Sequence, residues 1–500
     1  MIQITNTLKN GEKNLPEPKE GPLKMFVCGP TVYDYIHIGN ARTFVVFDVI
    51  AKYLRYRDYD LNYIQNITDI DDRIIKRAQE TGQLWKELSE KFEKIFLDNM
   101  KSLKVDSVDK YPRATDHIPE IIKQVKTLIE KGNAYLIEGD GYYFDLKTFP
   151  EYGKLSGRVA EMAEDAVSRI DENPKKRNRG DFCLWKFAVP VPERPNADVE
   201  PVFDDSSSEP SWDFETGQES QDERAQRKDN IGNGTAGRPG WHIEDTAITE
   251  KYFGPQYEIH GGGQDLIFPH HEAEIAQQES ASGLKPFVKY WLHAGFIVQK
   301  GEKMSKSRGV FLTVEDALKK YSPEALRFYF LSAHYRSPLD YTEDSIEQAA
   351  AGVKNLEEIM AHLKQIAEKR AFGQDEKLLA MIESCEGEII KAMDNDFNTQ
   401  MAFGLLSGLA SQIYQSVSES GIGEESYEKF TQVINFFDRV FGIILQEKEI
   451  PPEVQKLVQE REKAREEKDF ARSDELREQI KNLGYEVEDT IYGPLIKKIN

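Results

Sequence analysis

The segment from Met25 to Ile67 constrains the fold more than any other part of the chain. Met25-Phe26-Val27 is a short run suited to a buried strand, and Gly29-Pro30 breaks it. A mixed stretch leads to His37-Ile38-Gly39-Asn40. From Ala41 the pattern turns helical, with Phe44, Phe47, Ala51 and Leu54 on one face. Leu61 to Ile67 is a second strand, ending at Thr68-Asp69-Ile70-Asp71-Asp72. Strand, helix, strand implies a right-handed crossover and a parallel sheet. The expected fold class is therefore α/β. Ligands of such sheets gather at the carboxyl ends of the strands, and Cys28, the His37 segment and Thr68 fall on one such rim.

A second α/β segment begins near Gly237. Gly240-Trp241-His242-Ile243-Glu244-Asp245 precedes a short helix, and Tyr257 to His260 is a strand closed by Gly261-Gly262-Gly263. Pro269-His270-His271-Glu272-Ala273-Glu274 opens a helix, with Pro suited to the first turn. Residues 285 to 300 hold further strand, and the polar loop from Gly301 to Gly309 carries Lys303, Lys306 and Arg308. Between the two segments, residues 73 to about 135 are mostly helical, and Tyr142 to Asp145 is a strand of a smaller inserted module. Residues 191 to 230 hold 12 acidic and 4 basic residues with scattered Pro and Ser. This composition reads as a mobile surface insertion whose deletion leaves fold and activity intact. From about 345 the chain is nearly all helical. Leu356, Ile359, Met360, Leu363 and Ile366 keep helical spacing, Ala402 to Ile413 suits a bundle, and Leu457 to Leu476 reads as one solvated helix.

The balance of 65 basic against 87 acidic residues gives a net charge of −22. That disfavours blanket adhesion to nucleic acid or acidic membrane, although one local basic face suffices for RNA. With three cysteines a disulfide framework is not expected, and a reducing cytoplasm fits. Met1 to Asn6 lacks a signal pattern, and no stretch is apolar for long enough to cross a bilayer, so no membrane role is expected.

Three features could carry chemistry. His37, Gly39 and Asn40 precede a helix whose free amides and dipole attract anions, and an imidazole there could donate to a phosphate oxygen. The plainer reading of His37 is a helix cap. Lys303-Met304-Ser305-Lys306-Ser307 suits a mobile clamp on a polyphosphate; the plainer reading is a solvated loop. His270 and Glu274, four apart on one helix, point the same way. With Cys28 they offer N, O and S donors, all accepted by Zn²⁺, and Asp245 is the best-placed fourth donor. Singly, Cys28 reads as a small buried hydrophobe, and His270 and Glu274 as a cap and a solvated face.

His37 to Asn40 and Lys303 to Ser307 resemble the two signature motifs of class I aminoacyl-tRNA synthetases. The contexts Phe26 to Asp34, Asn66 to Asp72, Gly237 to Glu244, His260 to Glu272 and Asp396 to Thr399 resemble the cysteinyl-tRNA synthetase family. The resemblance covers nearly the whole chain. It implies a Rossmann-like parallel-sheet catalytic domain with an inserted connective module, followed by an all-α tRNA-binding region. The implied division is 1–110 and 237–295 for the two catalytic halves and 111–236 for the connective insertion. The signature loop and junction take 296–345, the helical bundle 346–450, and the anticodon-region tail 451–500.

By resemblance, the chain activates L-cysteine with ATP and Mg²⁺ to cysteinyl-adenylate and transfers it to the terminal ribose of cysteine tRNA. His37, Asn40, Lys303 and Lys306 are the catalytic residues, and His37, Gly39, Asn40 and Lys306 bind ATP. Cys28, Gly29, Thr68, Trp241 and His242 form the amino-acid pocket. One Zn²⁺ per chain, held by Cys28, Asp245, His270 and Glu274, selects the substrate thiolate. A soft ion prefers thiolate to hydroxyl, whereas an apolar pocket separates near-isosteres by only about 10- to 200-fold. Asp245 stands where the family usually has a second cysteine, and Asn40 where the motif has histidine. The acidic stretch before Trp241 is longer than usual, and the end near Tyr492-Gly493-Pro494-Leu495 lacks a common Trp. Arg327 opens a segment like the family's junction to the anticodon domain; the plainer reading is an amphipathic helix with one exposed Arg. A monomer is the family expectation. Two rivals are an ATP-dependent ligase joining cysteine to an amino sugar, which the long helical C-terminal portion opposes, and a catalytically dead RNA-binding paralogue, which the intact motifs oppose.

Overall fold

In a computed structural model, which describes residues 1–8, 11–17, 21–158, 173–188, 210–219, 236–304, 312–368, 372–373, 375–419, 421–443, 450–490 and 493–498, the chain forms two units. The first takes Met1–Lys320 and Tyr335–Tyr341, the second Tyr321–His334 and Thr342–Asn500.

The first unit starts with the hairpin β1 (Gln3–Thr5) and β2 (Glu12–Asn14) and enters its core at β3 (Leu23–Val27). Helix α1 (Ile38–Tyr56) returns the chain to β4 (Leu61–Gln65), which lies parallel to β3. The expected strand–helix–strand is thus present, and α1 starts three residues earlier than its apolar pattern because His37 caps it. The helices α2 (Asp72–Thr81), α3 (Trp85–Ser102) and α4 (Ile118–Glu130) follow, then β5 (Ala134–Ile137), β6 (Gly141–Phe144), β7 (Phe182–Phe187) and β8 (Gly237–Pro239). These four strands form a separate antiparallel sheet in sequence order. Helix α5 (Ile243–Phe253) leads back to β9 (Tyr257–Gly263), and α6 (Glu272–Ser282) carries the chain across to β10 (Val288–Ala294).

The central sheet has the order β10-β9-β3-β4, all parallel. The chain leaves β3 toward one edge and β9 toward the other, so the crevice between their carboxyl ends is the place where ligands of open α/β sheets bind. Met25, Phe26, Val27, Phe47, Ile259 and Leu292 form its dry interior. Strands β11 (Ile297–Gln299) and β12 (Glu302–Lys303), helix α7 (Val314–Lys320) and β13 (Leu339–Asp340) finish the unit. Buried Arg42 of α1 ties this region down, donating to the carbonyls of Gly295, Phe296 and Ser337 at 2.9, 2.9 and 2.8 Å.

Three expectations change here. The glycines expected to close the strand at His260 belong to it, because α1 packs too closely for side chains. A Cβ on Gly261 would lie 2.3 Å from the Phe47 ring. Pro269 does not sit in the first turn of α6. Ile267–His271 forms a separate wide turn, with Phe268 non-helical and the Phe268–Pro269 peptide cis, and α6 starts at Glu272. The 191–230 stretch is not wholly a surface insertion. Trp212 and Phe214 are buried in the main core, and Trp212 exchanges backbone hydrogen bonds with Gly237. Their aromatic burial outweighs the acidic composition around them, so deleting 191–230 would open the core. Residues 189–209 and 220–235 lie outside the described residues.

The second unit begins with α8 (Pro323–Leu331), capped by Ser322 and started by Pro323. Helices α9 (Glu343–Glu368), α10 (Glu376–Asp394), α11 (Thr399–Glu419) and α12 (Glu424–Phe441) bury Val353, Ile359, Leu363, Ile382, Phe403, Leu406, Phe430 and Phe437. Arg327 is fully buried and donates to the Phe441 carbonyl at 2.6 Å, so it is no exposed face residue. The stretch expected as one solvated helix is a hairpin of α13 (Pro452–Glu466) and α14 (Phe470–Asn482), turning at Lys468 with φ 60°. Val454, Val458 and Ile480 pack with Val487 of the closing hairpin β14 (Tyr485–Thr490) and β15 (Gly493–Lys498). Charge dominated its composition, but Val454 and Val458, one turn apart on α13, and Ile480 on α14 decide its fold.

No helix among the described residues is long and apolar enough to cross a membrane.

Candidate active site and metal centre

A cleft of ≈ 440 Å³ opens at the carboxyl ends of β3 and β9. Cys28, Gly29, His37, Gly39, Asn40, Thr68, Trp241, Asp245 and His270 all line it. Nine residues that the sequence separates by more than 240 positions therefore meet on one surface.

The phosphate end is built by the start of α1. His37 is its N-cap: Nδ1 accepts from the Asn40 amide at 3.2 Å, and Asn40 Oδ1 accepts from the His37 amide at 3.3 Å. This reciprocal cap realises the plainer reading of His37, and it does more. An accepting Nδ1 leaves the ring proton on Nε2, the tautomer able to donate to an oxyanion. Of Lys303 only the backbone, in β12, is described, and Lys306 lies outside the described residues.

A second group of residues at the cleft comprises side chains that could hold a metal ion. Cys28 follows β3, with its amide donating to the Gly261 carbonyl at 3.1 Å. Gly29 touches the next strand so closely that a Cβ would lie 1.7 Å from the Asn66 carbonyl oxygen. Its amide donates to Asn66 Oδ1 at 2.6 Å, and Asn66 Nδ2 donates to Asp245 Oδ1 at 2.5 Å. Thr68 donates to buried Glu244 at 2.5 Å. His270 Nε2 stands 3.0 Å from Asp245 Oδ2 and 2.9 Å from Glu274 Oε1. The donor atoms of Cys28, Asp245, His270 and Glu274 lie within 4.8 Å of one another, all buried.

The electrostatics of this cluster favour a positive charge within it. Burial, then Glu274 and Asp245, hold the Cys28 thiol well above its usual range. Burial pushes Glu274 up to about 8 despite the His270 imidazole beside it. Burial opposes a charge on His270 as well, but Glu274 and Asp245 outweigh it and raise the imidazole to about 10. Cys28, His270 and Glu274 therefore all hold their protons more tightly here than in water. A divalent ion would replace them, and one S, one N and two O donors fit Zn²⁺.

Trp241 is over a third exposed and stacks on the His270 ring at 4.7 Å and 24°. Trp241 thus forms part of the cleft wall. His242 differs from expectation: it does not line the cleft but lies buried behind His270, their Nδ1 atoms 2.8 Å apart. Burial, with His270 adding, keeps it neutral by lowering its pKa well below the usual value. Sequence reasoning missed Arg73, which lies over Tyr33 and Trp241 at 5.5 and 5.1 Å and donates to Asp71 and Thr31. It also missed His260 and His271, whose Nε2 atoms face Cys28 Sγ at 3.3 and 3.2 Å. The strand assignment for Tyr257–His260 was the available signal, but only its pairing of His260 with Phe26 brings that ring beside Cys28.

Residues 15–215 and 213–351 match the model for the class I (C) tRNA synthetase catalytic domain, 388–446 the DALR domain, and 447–491 the cysteinyl-tRNA ligase anticodon-binding domain. The cysteine–tRNA ligase of Thermococcus onnurineus is 40% identical over 513 residues, covering 100% of this chain and 99% of that protein. That of Pyrococcus furiosus is 42% identical over 505 residues, covering 98% of each. Among solved structures, Mycobacterium tuberculosis methionyl-tRNA synthetase in complex with methionyl-adenylate aligns with TM-score 0.53 and 16% identity over 84% of this chain and 90% of that one. LeuRS in the Agrobacterium radiobacter K84 ternary complex LeuRS–tRNA–LeuAMS aligns with TM-score 0.59 and 10% identity over 85% of each. These two share the fold. With its parallel sheet, its helical second unit and full-length relatives at this identity, the chain belongs to the cysteine–tRNA ligase family of class I aminoacyl-tRNA synthetases.

Proposed function

We propose that the chain activates L-cysteine with ATP and transfers it to the terminal ribose of cysteine tRNA, as a monomer in the cytoplasm. A cysteine carboxylate oxygen bonds to the α-phosphorus as the bond to pyrophosphate breaks. A ribose hydroxyl then attacks the activated carbonyl, AMP leaves, and the hydroxyl proton passes to solvent. The observation that carries this reading is the convergence of Cys28, Asp245, His270 and Glu274, three of which line the same cleft as His37 and Asn40.

His37, capped through Nδ1, offers its Nε2–H to phosphate oxygens that gain charge, and the amides at the start of α1 add their dipole. Lys303 and Lys306 would bring cations to the same phosphates. Trp241 walls the amino-acid pocket, and Gly29 keeps its floor open. Thr68, tied to Glu244, fixes the polar side, while His242 orients His270 from behind. Zn²⁺, held by Cys28, Asp245, His270 and Glu274, would supply preference for a thiolate over a hydroxyl, and Mg²⁺ would accompany ATP. The helical segment from about 345 would bind the tRNA stem and anticodon, and that affinity should fall with salt.

Cysteine-dependent exchange of pyrophosphate into ATP, with serine as the comparison, tests activation and selection together. Exchange with neither amino acid would point to a catalytically dead RNA-binding protein. Exchange without charging of a cysteine tRNA transcript would point to a ligase for another acceptor.

A further inference from the structure

The metal centre has a second face. The group Cys28, Asp245, His270 and Glu274 overlaps another, Cys28, His260, His271 and Glu274, again buried and with donor atoms within 4.8 Å of one another. The groups share Cys28 and Glu274, and Glu274 divides its oxygens between them. Oε1 stands 2.9 Å from His270 Nε2, and Oε2 stands 3.4 Å from His260 Nε2. Oε2 is buried and accepts no hydrogen bond.

Both inner histidines are set as ligating histidines are set. His260 Nδ1 lies 2.7 Å from the Tyr257 hydroxyl. His271 Nδ1 lies 2.8 Å from His293 Nε2, and His293 Nδ1 lies 2.8 Å from the Thr7 hydroxyl. With Nδ1 as the donor in these contacts, each Nε2 lone pair is left for an ion. Both Nε2 atoms face Cys28 Sγ, at 3.3 and 3.2 Å. Bonds of about 2.0–2.3 Å around tetrahedral Zn²⁺ give edges of about 3.3–3.8 Å, so these three separations need only slight opening. Neither His260 nor His271 lines the cleft, so the substrate pocket does not explain their convergence.

We propose that Cys28, His260, His271 and Glu274 form a second, inner site for a divalent ion of the zinc class, bridged to the outer site by the Cys28 sulfur and the Glu274 carboxylate. Cys28 gives up one thiol proton to solvent, and its sulfur then serves both ions. The inner site rests on the outer reading only through these two shared donors.

The test uses the full chain, stripped of metal by a chelator and titrated with Co²⁺. With two sites, the paramagnetic resonance signal rises with the first equivalent and falls with the second as the ions couple through the bridging sulfur. Equilibrium dialysis against Zn²⁺ then gives two ions per chain. His260→Asn and His271→Asn each lower this to one, and Asp245→Ala lowers it to one by emptying the outer site. A single ion in the unaltered chain at saturation, or two ions retained in both histidine variants, overturns the proposal. Loss of an ion in the histidine variants with two retained in Asp245→Ala would show that the outer ion does not need Asp245 and would keep the inner site. The titration of the unaltered chain decides the matter even if a variant misfolds.

Discussion

Substituting Gly261 by alanine tests how tightly the catalytic sheet is packed beneath the site. The new Cβ would lie 2.3 Å from Cε1 and Cζ of Phe47 and 3.0 Å from Cδ1. Carbon atoms in contact prefer about 3.5–4.0 Å, so more than 1 Å must open. Phe47 is fully buried in α1, and the Gly261 carbonyl is held by the Cys28 amide. Neither side can yield cheaply, and overpacking of this kind costs about 1–3 kcal/mol; two contacts this short argue for the upper end. All five tryptophans, at 85, 185, 212, 241 and 291, lie in the first unit, so their fluorescence in urea follows that unit alone. Phe47→Leu should relieve the clash. The double variant should therefore be more stable than the sum of single effects by at least about 1 kcal/mol. A loss under about 0.5 kcal/mol in Gly261→Ala, or strict additivity with Phe47→Leu, would refute the packing argument.

Trp241→Ala, at an over one-third exposed wall, should raise KM for cysteine about tenfold in pyrophosphate exchange while leaving the melting temperature nearly unchanged. Lys306→Ala should slow adenylate formation by about 10²–10³-fold with unchanged circular dichroism; near-normal exchange rejects the clamp. Glu272 accepts from the amides of Gly153, Leu155 and Ser156 at 3.0, 2.7 and 2.5 Å, and Glu272→Gln should cost about 2–4 kcal/mol in urea unfolding. Burial raises Asp69 to about 6, against hydrogen bonds from Thr115. Its folded pKa lies above its unfolded one, so it adds stability below about pH 4 that disappears as pH rises through 6. The difference, about 3 kcal/mol, should vanish from the pH profile of Asp69→Asn, and an unaltered slope counts against it.

The sequence by itself determined what neighbours along the chain decide. Apolar spacing in α1, the break at Gly29-Pro30 and the strands on either side fix the parallel sheet. Spacing of four places His270 and Glu274 together, and the motifs around His37 and Lys303 carry the family. Each depends on residues a few positions apart, where helix period and strand alternation operate. Only the tertiary structure decided which distant groups meet. Pairing β9 beside β3 brings His260 to Cys28, and a hydrogen bond from Asn66 anchors Asp245 at the same centre. Packing against α1 makes Gly261 part of a strand, and aromatic burial draws Trp212 and Phe214 into the core from an acidic stretch. Strand order and close packing are properties of the assembled chain, and no local pattern contains them.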